Sequence, residues 1–235
     1  LRRLRTDYID LYQIHRPDPT ADIDETLGAL TDLIRAGKIL YAGSSTFPAA
    51  QIVEAQWTAE RRGRERFACE QPPYSILVRG VEAEILPTCQ KYGMCVIPWS
   101  PLGGGWLSGR YRKGGDLPVS QRAQRLPQRY DLALPGNQAK LDAADKLAVL
   151  AQEAGLPLVH LAIAFVLSHP AVTAPIIGPR TMEQLESQLE AASVVLSADI
   201  LDEIDKIVPP GSNLNPADRG YDTPAVTTPA LRRRA

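Results

Sequence analysis

Residues 8–46, "YIDLYQIHRPDPTADIDETLGALTDLIRAGKILYAGSST", contain one full alternation of strand, helix and strand, and that alternation decides the fold class. Tyr8, Ile9, Leu11, Tyr12 and Ile14 favour an extended strand, and Pro17 and Pro19 stop it. Ile23, Leu27, Leu30, Leu33 and Ile34 recur at helical spacing behind Asp22, a suitable N-cap. Gly37 and Lys38 suit the end of that helix. "ILYAGSST" then returns as a short buried strand.

The same alternation continues downstream. "PAAQIVEAQWTAERRG" reads as a helix with Pro48 at its start, and "RFACEQPPYS" as a third strand stopped by Pro72 and Pro73. "EAEILPTCQKYG" is a short helix and "MCVIPWSPL" a fourth strand. An irregular stretch from Gly103 to about Pro135 follows. Next come the helical "NQAKLDAADKLAVLAQEAG" and "PLVHLAIAFVLSHP", and a fifth strand, "VTAPIIGP". "TMEQLESQLEAASVVL" and "SADILDEIDKIV" are the last helices, and the tail from Pro209 reads as mostly irregular. Strands that alternate with helices predict an α/β fold with a parallel sheet.

Neither G-x-G-x-x-G after the first strand nor a GxxxxGK[ST] loop is present, which argues against the open dinucleotide-binding fold and a nucleotide triphosphatase. The strand ends carry the positive signal. They read "QIH", "GSST", "EQ", "WS" and "GPR", each an apolar body that finishes in polar or aromatic groups. In a β/α barrel such ends converge on one face, where the active site is built. Each strand alone is equally well explained by a polar exit from the core.

Composition narrows the function classes. A net charge of −1 gives no electrostatic case for nucleic acid or an anionic membrane. No apolar run approaches the roughly 20 residues of a membrane span. Cys69, Cys89 and Cys95 lack C-x-x-C spacing and read as buried or free thiols in a reducing cytoplasm. No His and carboxylate pair has metal-ligand spacing, so no metal site is expected. His160 and His169 read as structural, and Lys91 and Tyr92 fall at a helix end, away from the strand termini.

Taken in order, "DYIDLYQIHRPD", "GKILYAGSSTF", "EQPPYS", "IPWSPLGGGWLSGRY" and "PIIGPRTMEQLESQLEA" resemble the aldo-keto reductases, in particular a bacterial branch similar to potassium-channel β subunits. The resemblance runs from Leu1 to about Val208. It implies a (β/α)8 TIM barrel that passes a hydride between NADPH and the carbonyl of a small-molecule aldehyde or ketone. On spacing alone His15 is a strand-end side chain bonded to nearby backbone; the resemblance makes it the histidine that polarises the carbonyl. Ser45 and Thr46 match a Ser-Asn pair on the nicotinamide carboxamide, with Thr46 replacing the usual Asn, and Gln71 completes that grip. Trp99 matches the ring on which nicotinamide stacks. Ser100, Leu102 and Gly103 begin a loop along the pyrophosphate. Gly178 and Arg180 match the turn that binds the adenosine 2′-phosphate. Gln184 and Gln188, one helical turn apart, match the adenine contacts, with Gln188 where Asn is usual.

The resemblance also implies a tyrosine, a lysine and an aspartate that act with the histidine, on elements preceding "DYIDLYQIH". "LRRLR" reads as the last turn of a helix, so the chain is expected to hold strands 4–8 of the barrel, with strands 1–3 absent. Residues 1–208 form that part and 209–235 the tail. An unpaired edge strand would invite pairing with another copy, so a homo-oligomer is an expected partner state. Two other readings stay open: a non-catalytic, NADPH-binding, redox-sensing interaction protein, and a barrel enzyme for a phosphorylated substrate at "IIGPR".

Overall fold

The strand–helix alternation of residues 8–46 is realised in the computed structural model, which describes residues 1–115 and 121–234. The chain clusters into two compact units, one of residues 1–72, 84–96 and 220–234, the other of Pro73–Ala83 and Ile97–Arg219.

The first unit holds a parallel four-stranded sheet in sequence order, β1 (Ile9–Ile14), β2 (Ile39–Ser44), β3 (Phe67–Glu70) and β4 (Cys95–Val96). Its crossovers are α1 (Ile23–Arg35), α2 (Ala49–Arg62) and α3 (Ile85–Lys91), as parallel pairing requires. Asp22 caps α1, its carboxylate accepting the Asp24 N–H at 2.7 Å. Pro48 is the N-cap of α2, and Gly63 closes it with φ 63°. Leu27, Leu30, Ile39, Ile52, Phe67, Leu86 and Val96 form the buried core. A short helix, Pro224–Thr227, and a 3-10 turn, Pro229–Leu231, come last in this unit.

Register fixes what happens at the strand ends. Ile14 lies opposite Ser44, and Ser44 opposite Glu70. An irregularity between Ala42 and Gly43 shifts the β2–β3 ladder just before that end. Here the backbones approach so closely that a Cβ on Gly43 would stand 2.9 Å from the Cys69 carbonyl oxygen. Gly43→Ala is therefore expected to lower stability by about 1–3 kcal/mol, seen as an earlier urea midpoint. An unchanged midpoint would contradict this account of the register.

The second unit is helical: α4 (Gln121–Arg125), α5 (Pro135–Glu153), α6 (Leu158–Ser168), α7 (Met182–Glu190) and α8 (Ala198–Ile207). The α6 sequence is apolar on nearly every side, and its residues from His160 to Val166 are all buried. Among the described residues no single helix is long and apolar enough to cross a membrane; α5 and α6 pass that test only as a pair bent by 95°.

One expected strand does not form, and another is cut short. "VTAPIIGP" forms no strand: Ile176 makes a single parallel bridge to Trp99, with its N–H on the Pro98 carbonyl at 2.8 Å. Pro175 and Pro179 flank it and lack the N–H donors a ladder needs. Pro98 likewise ends β4 at Val96, and pairing recurs only as isolated bridges from Trp99 to Pro73 and Ile176. The stretch expected to be irregular carries 3-10 turns at Gly103–Ser108 and Pro127–Arg129 as well as α4; its residues 116–120 lie outside the described residues, as does Ala235 of the tail.

Residues 209–219 have little regular structure but are pinned to the second unit. Arg79 donates its N–H to Ser212 at 2.7 Å, and Asn213 accepts the Gly80 N–H at 2.9 Å. Asn215 donates to Asn137 at 2.7 Å and to the Gln128 carbonyl at 3.0 Å.

Candidate functional site

In the first unit, the C-terminal ends of β2 and β3 gather Ser45, Thr46 and Gln71. Ser45 donates its hydroxyl to the Gln71 carbonyl at 2.9 Å, and Gln71 returns its N–H to the Ser44 carbonyl at 2.9 Å. The Ser45 and Thr46 hydroxyls are 3.4 Å apart, and Arg16 approaches the Ser45 hydroxyl at 3.4 Å. His15 is exposed just beyond β1; its carbonyl accepts from the Arg16 guanidinium at 2.6 Å. Glu70, which the sequence motifs include without a role, is wholly buried beneath the turn. Burial pushes its carboxyl up to about 7, against the opposing pull of donors from Ser44, Phe47 and Thr46. Burial also pushes the neighbouring Cys69 and Cys89 thiols up to about 12.

Thr46 adopts φ 59°, the left-handed region that a β-branched side chain disfavours and an Asn tolerates. Thr46→Asn is therefore expected to raise stability by about 1 kcal/mol, measured as a later urea midpoint. A destabilised variant would mean that the Thr46 hydroxyl contacts outweigh the backbone strain.

In the second unit, Trp99 and the loop after it border a cavity of about 210 Å³, lined also by Ser75, Arg122, Arg129, Tyr130 and Asp218. Ser100, Gly103, Gly104 and Gly105 have φ of 60°, 57°, 73° and 105°, so the backbone turns repeatedly through left-handed conformations. Two of the loop's N–H groups are used within the turn, Gly103 donating to the Ser100 carbonyl at 2.8 Å and Gly105 to the Leu102 carbonyl at 2.9 Å. Leu102 is half-buried at the start of the 3-10 segment, and Tyr130 donates its hydroxyl to the Gly104 carbonyl at 2.8 Å.

Arg129 lies over Trp99, its guanidinium carbon 5.8 Å from the ring centre. Asp218 holds it there, accepting from Arg129 Nε at 2.6 Å and from Lys140 Nζ at 2.7 Å. Lys140 is 1% exposed, donates also to the Arg129 carbonyl at 2.7 Å, and sits 4.9 Å from the Trp106 ring centre. Burial lowers the lysine's pKa, and Asp218 opposes that.

At the start of α7, Thr181 is the N-cap and accepts the Gln184 N–H at 3.3 Å. The Gln184 side-chain oxygen accepts the Arg180 N–H at 2.9 Å, which fixes the turn from Gly178 to Arg180. Gly178, Arg180 and Gln184 are exposed. Gln188 is 7% exposed, and its Oε1 has no hydrogen-bond partner among the described residues.

His160 and His169 have local roles. His160 Nε2 is 3.2 Å from the Ser187 hydroxyl, and His169 Nδ1 accepts the Ala171 N–H at 3.1 Å with its ring edge-on to Tyr74. Among the described residues no group of His, Cys, Asp and Glu is placed to hold a metal ion.

Sequence reasoning missed Glu70, Arg129, Lys140 and Asp218. A carboxylate at the end of a buried strand was the available signal for Glu70. The Lys140–Asp218 pair spans 78 positions and left no local trace.

Residues 1–209 match the model of the Aldo/keto reductase family. The chain is 40% identical over 209 residues to an uncharacterized oxidoreductase, YrpG, of Bacillus subtilis (strain 168), covering 89% of this chain and 61% of that protein. It is 35% identical over 215 residues to a probable voltage-gated potassium channel subunit beta of Oryza sativa subsp. japonica, covering 88% and 64%. Norsolorinic acid reductase of Aspergillus flavus is 32% identical over 209 residues, covering 89% and 50%. The chain thus spans between half and two-thirds of the length of these relatives.

Proposed function

The chain belongs to the aldo/keto reductase family, and from that premise we propose that it serves an NADPH-dependent oxidoreductase that reduces aldehydes or ketones to alcohols within a (β/α)8 barrel. The observation that carries the reading is the loop after Trp99. With left-handed backbone at Ser100 and at Gly103–Gly105, it borders a cavity that Trp99, Tyr130, Arg122 and the Asp218-paired Arg129 also line, aromatic and cationic groups that suit a phosphate-bearing aromatic cofactor. The unpartnered Oε1 of buried Gln188 suits the amino group of adenine.

Bound NADPH would supply the hydride. Within the first unit, Ser45, Thr46 and Gln71 are assigned to the carboxamide; within the second, Trp99 is assigned to the nicotinamide ring, as the resemblance implies. The backbone of Ser100 and Leu102 is assigned to the pyrophosphate; Gly103, whose N–H is on the Ser100 carbonyl, acts there by shaping the turn. Arg180, on the turn from Gly178, pairs with the 2′-phosphate. Gln188 takes adenine; Gln184, whose Oε1 already holds the Arg180 N–H, acts there by fixing the turn. His15 donates a hydrogen bond to the substrate carbonyl oxygen, which favours charge building up on it. The proton that completes the alcohol is assigned to a tyrosine–lysine pair, as the resemblance implies. A phenol at its ordinary pKa of about 10 needs such a lysine to act at neutral pH. Three free thiols accord with work in a reducing cytoplasm.

The test is loss of reduced-nicotinamide absorbance when the natural protein meets NADPH and a simple aldehyde. Aldehyde-dependent oxidation is the expected result. Similarity to the potassium-channel β subunit relative favours a second reading, a cofactor-binding partner protein. That reading predicts tight NADPH binding with no turnover on any carbonyl.

A further inference from the structure

Beneath the Ser45–Thr46 turn lies a buried acid with no part in the assignments above. Glu70 has no exposed surface, precedes Gln71, and stands in register opposite Ser44. One carboxylate oxygen accepts the Ser44 hydroxyl, and the other accepts the Phe47 N–H at 3.2 Å. The Thr46 N–H faces the same carboxylate. These donors bracket Ser45 within a turn whose Thr46 is held at φ 59°, a conformation that persists only when its surroundings impose it. Ser45 and Gln71 are tied to that turn by their own reciprocal bonds.

We propose that Glu70 is a positioning residue for cofactor binding: its carboxylate holds the 44–47 turn in the shape that presents Ser45 and Thr46, with Gln71 fastened to the same turn. The inference rests on the reading of these three residues as the carboxamide grip.

Its signature is a pair of opposite pH dependences. The groups that face Glu70 electrostatically are Arg16, which favours the carboxylate, and the thiols of Cys69 and Cys89, which stay neutral near pH 7 because burial raises both to about 12. Ionised, Glu70 accepts from all of its donors; protonated, one acceptor position is lost to its own O–H. The fastening, and with it cofactor affinity, therefore strengthens as pH rises through about 7. Stability moves the other way. The folded chain retains a proton that the unfolded chain releases in the ordinary carboxylate range, so this contribution is full below about pH 4.5 and is lost as pH rises through about 7.

The experiment measures NADPH affinity by fluorescence between about pH 6 and 8.5, and urea midpoints from about pH 5, for the unmodified chain and Glu70→Gln. The cofactor's 2′-phosphate titrates in the same range but contributes equally to both proteins. The unmodified chain should bind more tightly and unfold more easily as pH rises. Glu70→Gln should bind roughly tenfold more weakly near pH 8 and lose both Glu70-dependent slopes. Should that variant not fold, Ser44→Ala keeps the acid and removes one donor, and the binding transition should move to higher pH. Equal affinities and profiles, a loss in Glu70→Gln that is the same at every pH, or an unmoved transition in Ser44→Ala would overturn the proposal. Absence of NADPH binding by the unmodified chain would instead remove the functional reading, and this inference with it.

Discussion

Asp218→Ala is expected to destabilise the second unit by about 3–5 kcal/mol, because it leaves Lys140 buried without its counter-charge. Lys140 has almost no exposed surface, and its remaining hydrogen bond is to the Arg129 carbonyl. The same change frees Arg129 Nε and leaves the guanidinium over Trp99 tied, among the described residues, only through Nη2 to the backbone carbonyl of residue 218, at 3.3 Å. Urea midpoints measure the loss. Pairing the change with Lys140→Met should recover at least half of it, since an apolar side chain of similar length needs no counter-charge between Trp106 and Tyr130. A loss below about 1 kcal/mol in Asp218→Ala would show that the network carries little energy.

The second large effect concerns cofactor choice. Arg180→Ala is expected to raise the Kd for NADPH by about tenfold to a hundredfold, the range for one charge-assisted hydrogen bond to a phosphate, and to leave NADH binding unchanged. Arg180 is exposed, and its backbone is fixed by Gln184 rather than by its own side chain, so the substitution leaves the turn in place. Equal losses for both dinucleotides would point to a damaged turn rather than a lost phosphate contact.

The contrast between what sequence revealed and what it hid follows contact range. The β1–α1–β2 unit was legible because each signal acts locally: β-favouring residues in 8–14, apolar residues at helical spacing behind Asp22, and a glycine at the helix end. The strand-end positions of Ser45 and Gln71 followed from that pattern, whereas Trp99 lies beyond the end of β4 at Val96. "VTAPIIGP" misled because its apolar content matches a strand while its flanking prolines withhold the donors. Glu70 was overlooked because its significance depends on the register that sets it against Ser44, a pairing made by tertiary structure. Asn215 and Asp218 carry no periodic signal, and their partners Asn137 and Lys140 lie 78 positions away.

The central claim is that these residues build an NADPH-binding site, and calorimetric titration of the intact chain with NADPH and with NADH tests it most directly. The account predicts saturable one-to-one binding of NADPH, with NADH at least about tenfold weaker for want of the 2′-phosphate. Failure to bind either dinucleotide, or equal affinity for the two, would contradict it.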